Sequence, residues 1–305
     1  MKHIGKSYDK VEAKGILSGK PSYTGDFVPK DALIIKVLRS PHAQAKIKSI
    51  DTSKAKLIPG VEAIFTYEDV PNTRFTLAGQ TYPEPSAYDA LILDPVVRYV
   101  GDEVALVVAK DEATALKAMP LIKVEYEVQK PVLDLRTAMD HETVVHPEDD
   151  ILNHIPVGQD YKRNICVSYH KRVGDIEGEL AKCDYVVEGT YFDQATRQSA
   201  MEPFQSFGYI DHLGRIVIVS STQIVFHVRR HIARALGIPA SKIRVIKPRI
   251  GGGFGSKQTA CTELMTAFVT WKLQKPCYLL YDRTEAQTCS TTRHAREWYI
   301  RVGAT

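Results

Sequence analysis

The amino-acid sequence predicts an α+β fold, in which short strands and helices mix along the chain. Three stretches support this prediction: 102–126 in the first half, and 216–236 and 243–273 in the second half. In each of them, an apolar run typical of a strand is followed by a stretch with helical character. Of the 305 residues, 44% are hydrophobic and 25% are charged, which is typical of a globular protein.

The first half is predicted to contain several strands and one helix. Residues 32–38 are strand-like, as are residues 61–66, which follow a Pro-Gly turn. Residues 104–109 are continuously apolar, which predicts a buried strand. A stretch with good helix propensity begins at Asp111, and residues 121–126 alternate like another strand. Residues 102–126 therefore form a predicted strand–helix–strand unit.

The second half is more regular. Residues 185–192, 206–210 and 216–220 are predicted strands. A helix is predicted over 224–236, because its apolar side chains recur every three or four residues. Gly237 suits the left-handed position that ends a helix.

The end of the chain continues this alternation of strands and helices. A strand, a glycine-rich turn, a helix and two further strands are predicted at 243–246, 251–255, 259–273, 277–281 and 297–302. Two helices are therefore expected to begin at Gln223 and at the glycine run. The last strand is expected to need partners from outside this chain, because an unpaired strand edge is unstable.

Composition argues against several classes of protein. Lys and Arg exceed Asp and Glu by 40 to 36, and a net charge of +4 does not suit a nucleic-acid-binding protein. No apolar run reaches the roughly 18–20 residues of a membrane span. The N-terminus lacks the apolar core of a secretory signal, so a cytoplasmic location is expected.

The cysteines do not predict a metal or disulfide site. Their odd number and the lack of CxxC spacing argue against a disulfide framework, a zinc site and an iron–sulfur cluster in this chain. No serine lies in a GxSxG pattern either. We therefore expect buried structural thiols at all five positions, which are Cys166, Cys183, Cys261, Cys277 and Cys289.

Two neighbouring features are candidates for ligand binding. The glycine run 251–255 (GGGFG) allows close approach of the backbone to a ligand, and its N–H groups with a following helix favour an anion such as a phosphate. Spacing alone favours a plain strand-to-helix turn. Gln223 can donate and accept hydrogen bonds, although a polar residue satisfied locally at a helix start is the more common case.

Other polar residues are weaker candidates. Glu202, in Met-Glu-Pro, could be a general base or a ligand, but a surface turn is favoured. His227 and His231 lie one helical turn apart without the HExxH pattern of a zinc site. The arginines of the same segment are expected to form a solvated helix face.

The order of several short motifs carries more information than any one of them. The motifs are YTGD at 23–26, RSPHA at 39–43, VRYVGDE at 97–103, MEP at 201–203, SSTQ at 220–223, KIRVIKPRIGGGFGSKQ at 242–258 and TRH at 292–294. In this combination the chain resembles the molybdenum-binding subunit of the xanthine dehydrogenase and aldehyde oxidase family, from about Val11 to the C-terminus. The succession of STQ, GGGFG and Lys-Gln is specific to that family.

The resemblance implies a division of the chain. Residues 15–130 would form an α/β hammerhead domain, 131–154 a linker, and 155–305 the first, incomplete part of a molybdopterin-binding α+β domain. Family catalytic subunits are more than twice this length. The second pterin-binding segment and the general-base glutamate would therefore lie beyond Thr305, on another polypeptide if the subunit is naturally split, or be missing if the product is truncated.

The resemblance also implies a cofactor site. Gln223 falls at the glutamine that hydrogen-bonds the apical oxo ligand of molybdenum, a role that suits its amide N–H₂. Gly252, Gly253, Phe254 and Gly255 fall on the loop beside the metal and the pterin. Phe254 would be close to molybdenum through its backbone.

The substrate-facing position is less specific. Gln258 falls where purine-oxidising relatives often carry a glutamate that orients the substrate, and bacterial relatives tolerate glutamine there. Ser256 replaces a glycine that is common in the loop, which is acceptable unless the backbone needs a positive φ.

The function implied is oxidative hydroxylation of a purine or related N-heterocycle by molybdenum–molybdopterin. Partner subunits with [2Fe–2S] clusters and FAD would receive the electrons. An aldehyde-oxidising relative and a non-catalytic remnant that only folds and binds partner subunits remain alternatives. The dinucleotide form of the cofactor, the substrate and the electron acceptor stay open.

Overall fold

The computed structural model describes residues 3–20, 22–77 and 81–305. It confirms the predicted α+β class, since strands and helices alternate along the chain. The strands, in chain order, are β1 Leu33–Arg39, β2 Ala45–Asp51, β3 Val61–Phe65, β4 Val96–Val97, β5 Glu103–Ala109, β6 Lys123–Val128, β7 Tyr185–Asp193, β8 Gln205–Ile210, β9 Ile216–Ser220, β10 Ile243–Ile246, β11 Cys277–Leu280 and β12 Arg296–Ala304.

Seven α-helices and several short 3₁₀ turns are present in the described ranges. The helices are α1 Ala13–Leu17, α2 Ser53–Lys56, α3 Glu112–Ala118, α4 Ile176–Leu180, α5 Val225–Leu236, α6 Glu263–Leu273 and α7 Arg283–Thr288. In this part of the chain, no helix combines the length and apolar character that crossing a bilayer requires.

A seven-stranded sheet joins the two halves of the chain. Its order is β10-β9-β8-β11-β1-β5-β3, so β1 from the first half lies directly beside β11 from the second. The two strands are parallel, with Leu33 opposite Cys277. The other sheets are a three-stranded one, β4-β2-β6, and a two-stranded ribbon, β12-β7.

Strand β5 shows why a continuous apolar run predicts burial. Leu106 and Val108 belong to the main core, whereas Ala105, Val107 and Ala109 belong to a second core on the opposite face, with α3. Because successive side chains point to opposite faces, a strand covered on both sides must be apolar throughout. The predicted strand–helix–strand unit exists, but β5 and β6 belong to different sheets.

A buried charge network connects β1 to the segment around β11. The Arg39 guanidinium contacts the Glu103 carboxylate at 2.8 Å and the Glu285 carboxylate at 3.0 Å. It also lies 4.6 Å from the ring centre of Tyr281. Burial raises the pKa of the Tyr281 hydroxyl well above its ordinary value. Both halves of the chain therefore contribute to one polar network at the sheet.

The expectation for the last strand is met only in part, because β12 has one strand partner within this chain while its other edge is unpaired among the described residues. β12 pairs with β7 along its whole length in an antiparallel register, from Arg296–Asp193 to Ala304–Tyr185. Its hydrogen-bonding partner thus lies within this chain, about a hundred residues upstream. Large apolar side chains nevertheless remain exposed on both strands of the ribbon; they include Tyr185, Val187, Tyr191, Phe192, Tyr299 and Val302.

The arginines of α5 form a solvated face only in part, since Arg234 is exposed whereas Arg229 and Arg230 are half-buried. Arg230 contacts the buried carboxylate of Glu84 at 2.7 Å, and Arg234 donates to the carbonyl of Arg74 at 2.7 Å. Arg229 donates to the carbonyl of Ala240. Contacts from the loop before β4 and from the turn after α5 therefore occupy these side chains.

The cysteines follow the prediction only in part. All five are free, and Cys277 and Cys289 are buried. Burial raises the pKa of the Cys261 and Cys277 thiols to about 12, and burial also raises the pKa of the Cys289 thiol. Cys166, in contrast, is exposed, because the segment around it packs little against the rest of the chain.

Candidate cofactor site

Gln223 lies between the end of β9 and the start of α5. Its backbone N–H donates to the carbonyl of Lys257 at 2.8 Å, which ties it to the segment after the glycine run. Its side-chain amide has no hydrogen-bond partner among the described residues, and Oε1 is buried. The alternative of a locally satisfied helix-start residue is therefore wrong. A buried polar atom without a partner is uncommon and calls for a physical explanation.

The structure brings Gln223 against the glycine run. A Cβ atom placed on Gly253 would lie 2.6 Å from Oε1 of Gln223 and 2.8 Å from its Cδ. Real Cβ atoms do not approach other heavy atoms so closely, so only glycine leaves this space. The two features that the sequence singled out separately thus form one site.

The loop has an unusual backbone conformation. Gly252 and Gly255 have φ values of 102° and 85°, and Phe254 between them has φ 50°. The Phe254 side chain is 75% exposed. Glycine adopts positive φ freely, whereas phenylalanine does so at a cost, and such strain concentrates at functional sites. The loop therefore presents an aromatic side chain and glycine backbone at the surface beside Gln223.

Ser256 is compatible with its position. It lies in a 3₁₀ turn, Ser256–Gln258, and is not among the residues with positive φ. Its hydroxyl donates to the carbonyl of Gly253 at 2.7 Å. The serine in place of glycine adds a hydrogen bond that closes the loop.

Gln258 ends the same turn. Its N–H donates to the carbonyl of Gly255 at 3.2 Å, and its Oε1 lies 3.9 Å from the position of a Cβ on Gly255. The side chain is half-buried. The predicted substrate residue therefore lies next to the predicted cofactor loop, and its role toward a substrate stays a prediction.

Glu202 is not part of a surface turn, as sequence reasoning favoured. Its carboxylate accepts hydrogen bonds from the N–H of Gly251 at 2.7 Å, from Lys257 Nζ at 2.9 Å and from Gln205 Nε2 at 2.8 Å. The Lys257 side chain is only 2% exposed and that of Glu202 is 9% exposed. Sequence reasoning missed Lys257, although a lysine beside a glycine run and a Met-Glu-Pro segment upstream were both visible.

The predicted helix after the glycine run begins four residues late, at Glu263 instead of residue 259. The Glu263 carboxylate accepts the N–H groups of Cys261 and Thr262 and the Ser220 hydroxyl, at 2.9, 3.1 and 2.6 Å. Burial raises the pKa of this carboxyl. The Glu263 carboxylate therefore occupies the two N–H groups just before α6, and anion binding at the glycine run stays a prediction.

Family models cover most of the chain. Residues 18–130 match "Aldehyde oxidase and xanthine dehydrogenase, a/b hammerhead domain", and residues 157–305 match "Molybdopterin cofactor-binding domain". The chain is 30% identical to the nicotinate dehydrogenase large molybdopterin subunit of Eubacterium barkeri, over 99% of this chain and 67% of that protein. This chain belongs to the xanthine dehydrogenase and aldehyde oxidase family. The resemblance stated from the motifs is thereby confirmed.

Other family members extend well beyond the part that this chain matches. The probable hypoxanthine oxidase XdhD of Escherichia coli K12 is 38% identical over 99% of this chain, which is 34% of that protein. The structure of quinoline 2-oxidoreductase from Pseudomonas putida 86 has a TM-score of 0.82 at 27% identity, over 99% of this chain and 37% of that one. The chain thus spans about a third of the length of these relatives. The predicted domain boundaries stay a prediction, because strands of both segments share one sheet.

The residues at the loop fit the cofactor of this family. The unpartnered Gln223 amide offers a donor and an acceptor, and Gly253 leaves free the space that a side chain would fill. The backbone of Gly252–Gly255 lies outside any strand. A molybdopterin-type group, rich in polar atoms, would find hydrogen-bonding partners and room at the same place.

A cleft of about 600 Å³ lies close to the site, between the two halves of the chain. One wall contains Ala260 and Cys261, directly after the Gln258 turn; the other contains Asp89, Arg98 and Asp102. Burial raises the pKa of the Asp102 carboxyl well above its ordinary value. The residues predicted to contact the cofactor are not among those that line this cleft.

The histidine pair of α5 stays outside the site. Among the described residues, no group of three His, Cys, Asp or Glu side chains is placed to hold a metal ion. His231 Nε2 lies 3.8 Å from the Glu84 carboxylate. Burial, together with the charge of Arg230, lowers the pKa of His227.

Proposed function

We propose that this chain is the molybdopterin-binding portion of a molybdenum hydroxylase that oxidises a purine or related N-heterocycle. The observation that carries the proposal is the contact between the unpartnered amide of Gln223 and Gly253. Relatives named for hypoxanthine, nicotinate and quinoline support the substrate class, since all three are nitrogen heteroaromatics. Gln258 leaves the choice within this class open, because an amide both donates and accepts hydrogen bonds, whereas an ionised carboxylate only accepts.

Each residue of the loop has a defined task in this proposal. A bound molybdenum–molybdopterin cofactor supplies the two-electron oxidation chemistry. Gln223 donates a hydrogen bond from its amide to an oxo group of the cofactor, and Gly253 keeps the adjoining space free of a side chain. Gly252 and Gly255 allow the positive φ values that turn the loop toward the ligand. The backbone of Phe254 would lie near the metal of the bound cofactor.

The proposal includes partners. A polypeptide that completes the molybdopterin domain would supply the general base, and subunits with [2Fe–2S] clusters and FAD would carry the electrons away. The exposed apolar side chains of the β7–β12 ribbon support the first of these, because a two-stranded ribbon with both faces in water is marginally stable. A cytoplasmic location is part of the same proposal.

An aldehyde substrate is the second candidate. The aldehyde oxidoreductase of Desulfovibrio gigas has a TM-score of 0.81 at 25% identity, over 98% of this chain and 32% of that one. The chemistry at Gln223 and at the loop would be the same, so only the substrate distinguishes the two enzymes. A third possibility, a subunit remnant without catalysis, predicts a folded chain without cofactor.

The deciding experiment is the metal content of protein purified natively through a tag on this chain, from cells supplied with molybdate. We expect molybdenum together with iron, because the chain would bring its cofactor and its redox partners with it. A Gly253→Val variant is the matched control, since its side chain occupies the space beside Gln223 and should deplete molybdenum. Absence of both metals from well-folded wild-type protein would reject the enzyme and favour the remnant.

Substrate class is decided on the same preparation. The rates at which the protein oxidises hypoxanthine, nicotinate and an aromatic aldehyde are compared, with the same artificial electron acceptor in each assay. Turnover of the heterocycles supports the first candidate, and turnover of the aldehyde alone supports the second.

A further inference from the structure

A buried ion pair, Glu202 and Lys257, lies beside the glycine loop, and neither residue is among those predicted to contact the cofactor. The Glu202 carboxylate and Lys257 Nζ are 2.9 Å apart, and both side chains are almost completely removed from water. Burying two charges costs free energy, which their attraction offsets only when further hydrogen bonds satisfy both groups. The contacts of this pair show what it holds in place.

Glu202 and Gly251, the first residue of the loop, exchange two hydrogen bonds. Its backbone N–H donates to the carbonyl of Gly251 at 2.9 Å, and its carboxylate accepts the N–H of Gly251 at 2.7 Å. A Cβ on Gly251 would lie 2.6 Å from the Cβ of Glu202, so glycine is needed for this approach. The start of the loop is thus bonded to a segment about fifty residues away in the sequence.

Lys257 connects the end of the loop to Gln223. Its Nζ donates to the carbonyl of Glu202 as well as to the carboxylate, at 3.0 and 2.9 Å. Its own carbonyl accepts the N–H of Gln223 at 2.8 Å. A continuous series of contacts therefore runs from Gly251 through Glu202 and Lys257 to the backbone of Gln223.

We infer that Glu202 and Lys257 form a positioning unit that fixes the 251–258 loop relative to Gln223. Neither residue is predicted to contact the cofactor; Lys257 acts through the backbone of Gln223, and Glu202 acts through Gly251, which directly precedes the predicted cofactor residues. The expected effect on cofactor retention rests on the proposed function. The expected effect on the order of the loop does not, and it is tested separately.

The experiment is amide hydrogen exchange of the full chain in four variants. Glu202→Gln keeps an acceptor oxygen and removes the charge, Lys257→Met removes the cation, and the double variant removes both. Glu84→Gln is the matched control, because Glu84 is an equally buried carboxylate paired with Arg230, away from the loop. Molybdenum content is measured on the same preparations.

Each single variant leaves one buried charge unpaired, so exchange across 251–258 should accelerate on the order of tenfold or more. Exchange in β9 should stay unchanged, and the double variant should recover most of the lost protection. Glu84→Gln should leave the loop as in the wild type. Molybdenum content should fall in both single variants and recover in the double variant.

Two results would overturn the inference. In the first, the amide hydrogens of the loop exchange as slowly in the single variants as in the wild type. In the second, hydrogen exchange accelerates as much in β9 as in the loop. If a single variant does not fold, a folded double variant with wild-type loop exchange still supports the pairing, and one with an unprotected loop rejects it. Wild-type protein without molybdenum would instead refute the proposed function, while the exchange data would still decide the role of the pair.

Discussion

Replacement of Gly253 by alanine tests the contact on which the proposed site depends. The new methyl group would lie 2.6 Å from Oε1 and 2.8 Å from Cδ of Gln223. Because ordinary contact begins at 3.4 Å, the amide must retreat by about 0.8 Å. Gly253 is not among the glycines with positive φ, so alanine introduces no backbone strain.

The expected effects on stability and on activity differ sharply. The atoms that must move are the flexible end of a side chain, and alanine also restricts the unfolded chain, so unfolding free energy should change by less than about 1 kcal/mol. A displaced amide loses its hydrogen bond to the cofactor, and bonds to charged or strongly polar groups contribute about 1.5–3 kcal/mol. This corresponds to a loss of turnover of roughly tenfold to a hundredfold.

The assay combines three measurements on the assembled enzyme: turnover, molybdenum content and Tm. Gly15→Ala is the control, because a Cβ there meets nothing closer than 3.9 Å and its φ is also ordinary. Full turnover in Gly253→Ala at full molybdenum occupancy would refute the reasoning. A large fall in Tm would also contradict it, since it would show that the backbone rather than Gln223 absorbs the methyl group.

Three further outcomes are expected. Gln223→Ala should reduce turnover at full molybdenum occupancy with Tm unchanged, and equal turnover would remove Gln223 from the site. Gly252→Ala should lower stability by about 1–2 kcal/mol in thermal unfolding, because alanine is strained at φ 102°. Although burial acts to raise it, the His146 imidazole, 3.5 Å away, and the charge of Arg98 lower the pKa of Glu148 from 4.5 to about 2. Because the pKa is lower in the folded state, the ionised carboxylate stabilises the fold above pH 4.5 by on the order of 3 kcal/mol, and this stabilisation is lost as the pH falls toward 2. Glu148→Gln should therefore flatten the curve of unfolding free energy against pH between 4.5 and 2. An unchanged curve would contradict the lowered pKa of Glu148.

Local elements were predictable from local patterns. The apolar runs at 216–220 and 243–246 match β9 and β10 residue for residue. The predicted helix at 224–236 matches α5 within one residue, and Gly237 ends it at φ 65° as expected. The late start of α6 was not predicted, because it depends on the Glu263 carboxylate reaching Ser220, more than forty residues away.

The candidate site shows the same division. The motifs SSTQ and GGGFG identified Gln223 and the loop, and their order identified the family. The motifs did not indicate that the Gln223 amide lacks a partner, nor that Glu202 and Lys257 are buried together. Met-Glu-Pro has the composition of a surface turn, and Met201 is indeed exposed, but the Glu202 carboxylate is buried against Gly251 and Lys257.

What the sequence by itself determined is therefore the alternation of elements and the family, because side-chain periodicity, turn residues and motif order are properties of neighbouring residues. The tertiary structure decided which strands share a sheet, where β12 finds its partner, and which polar groups are buried. Pairing between Glu202 and Lys257 or between β7 and β12 joins residues 55 to more than 100 positions apart. Burial and charge compensation depend on all the surrounding segments at once, and no local pattern contains that information.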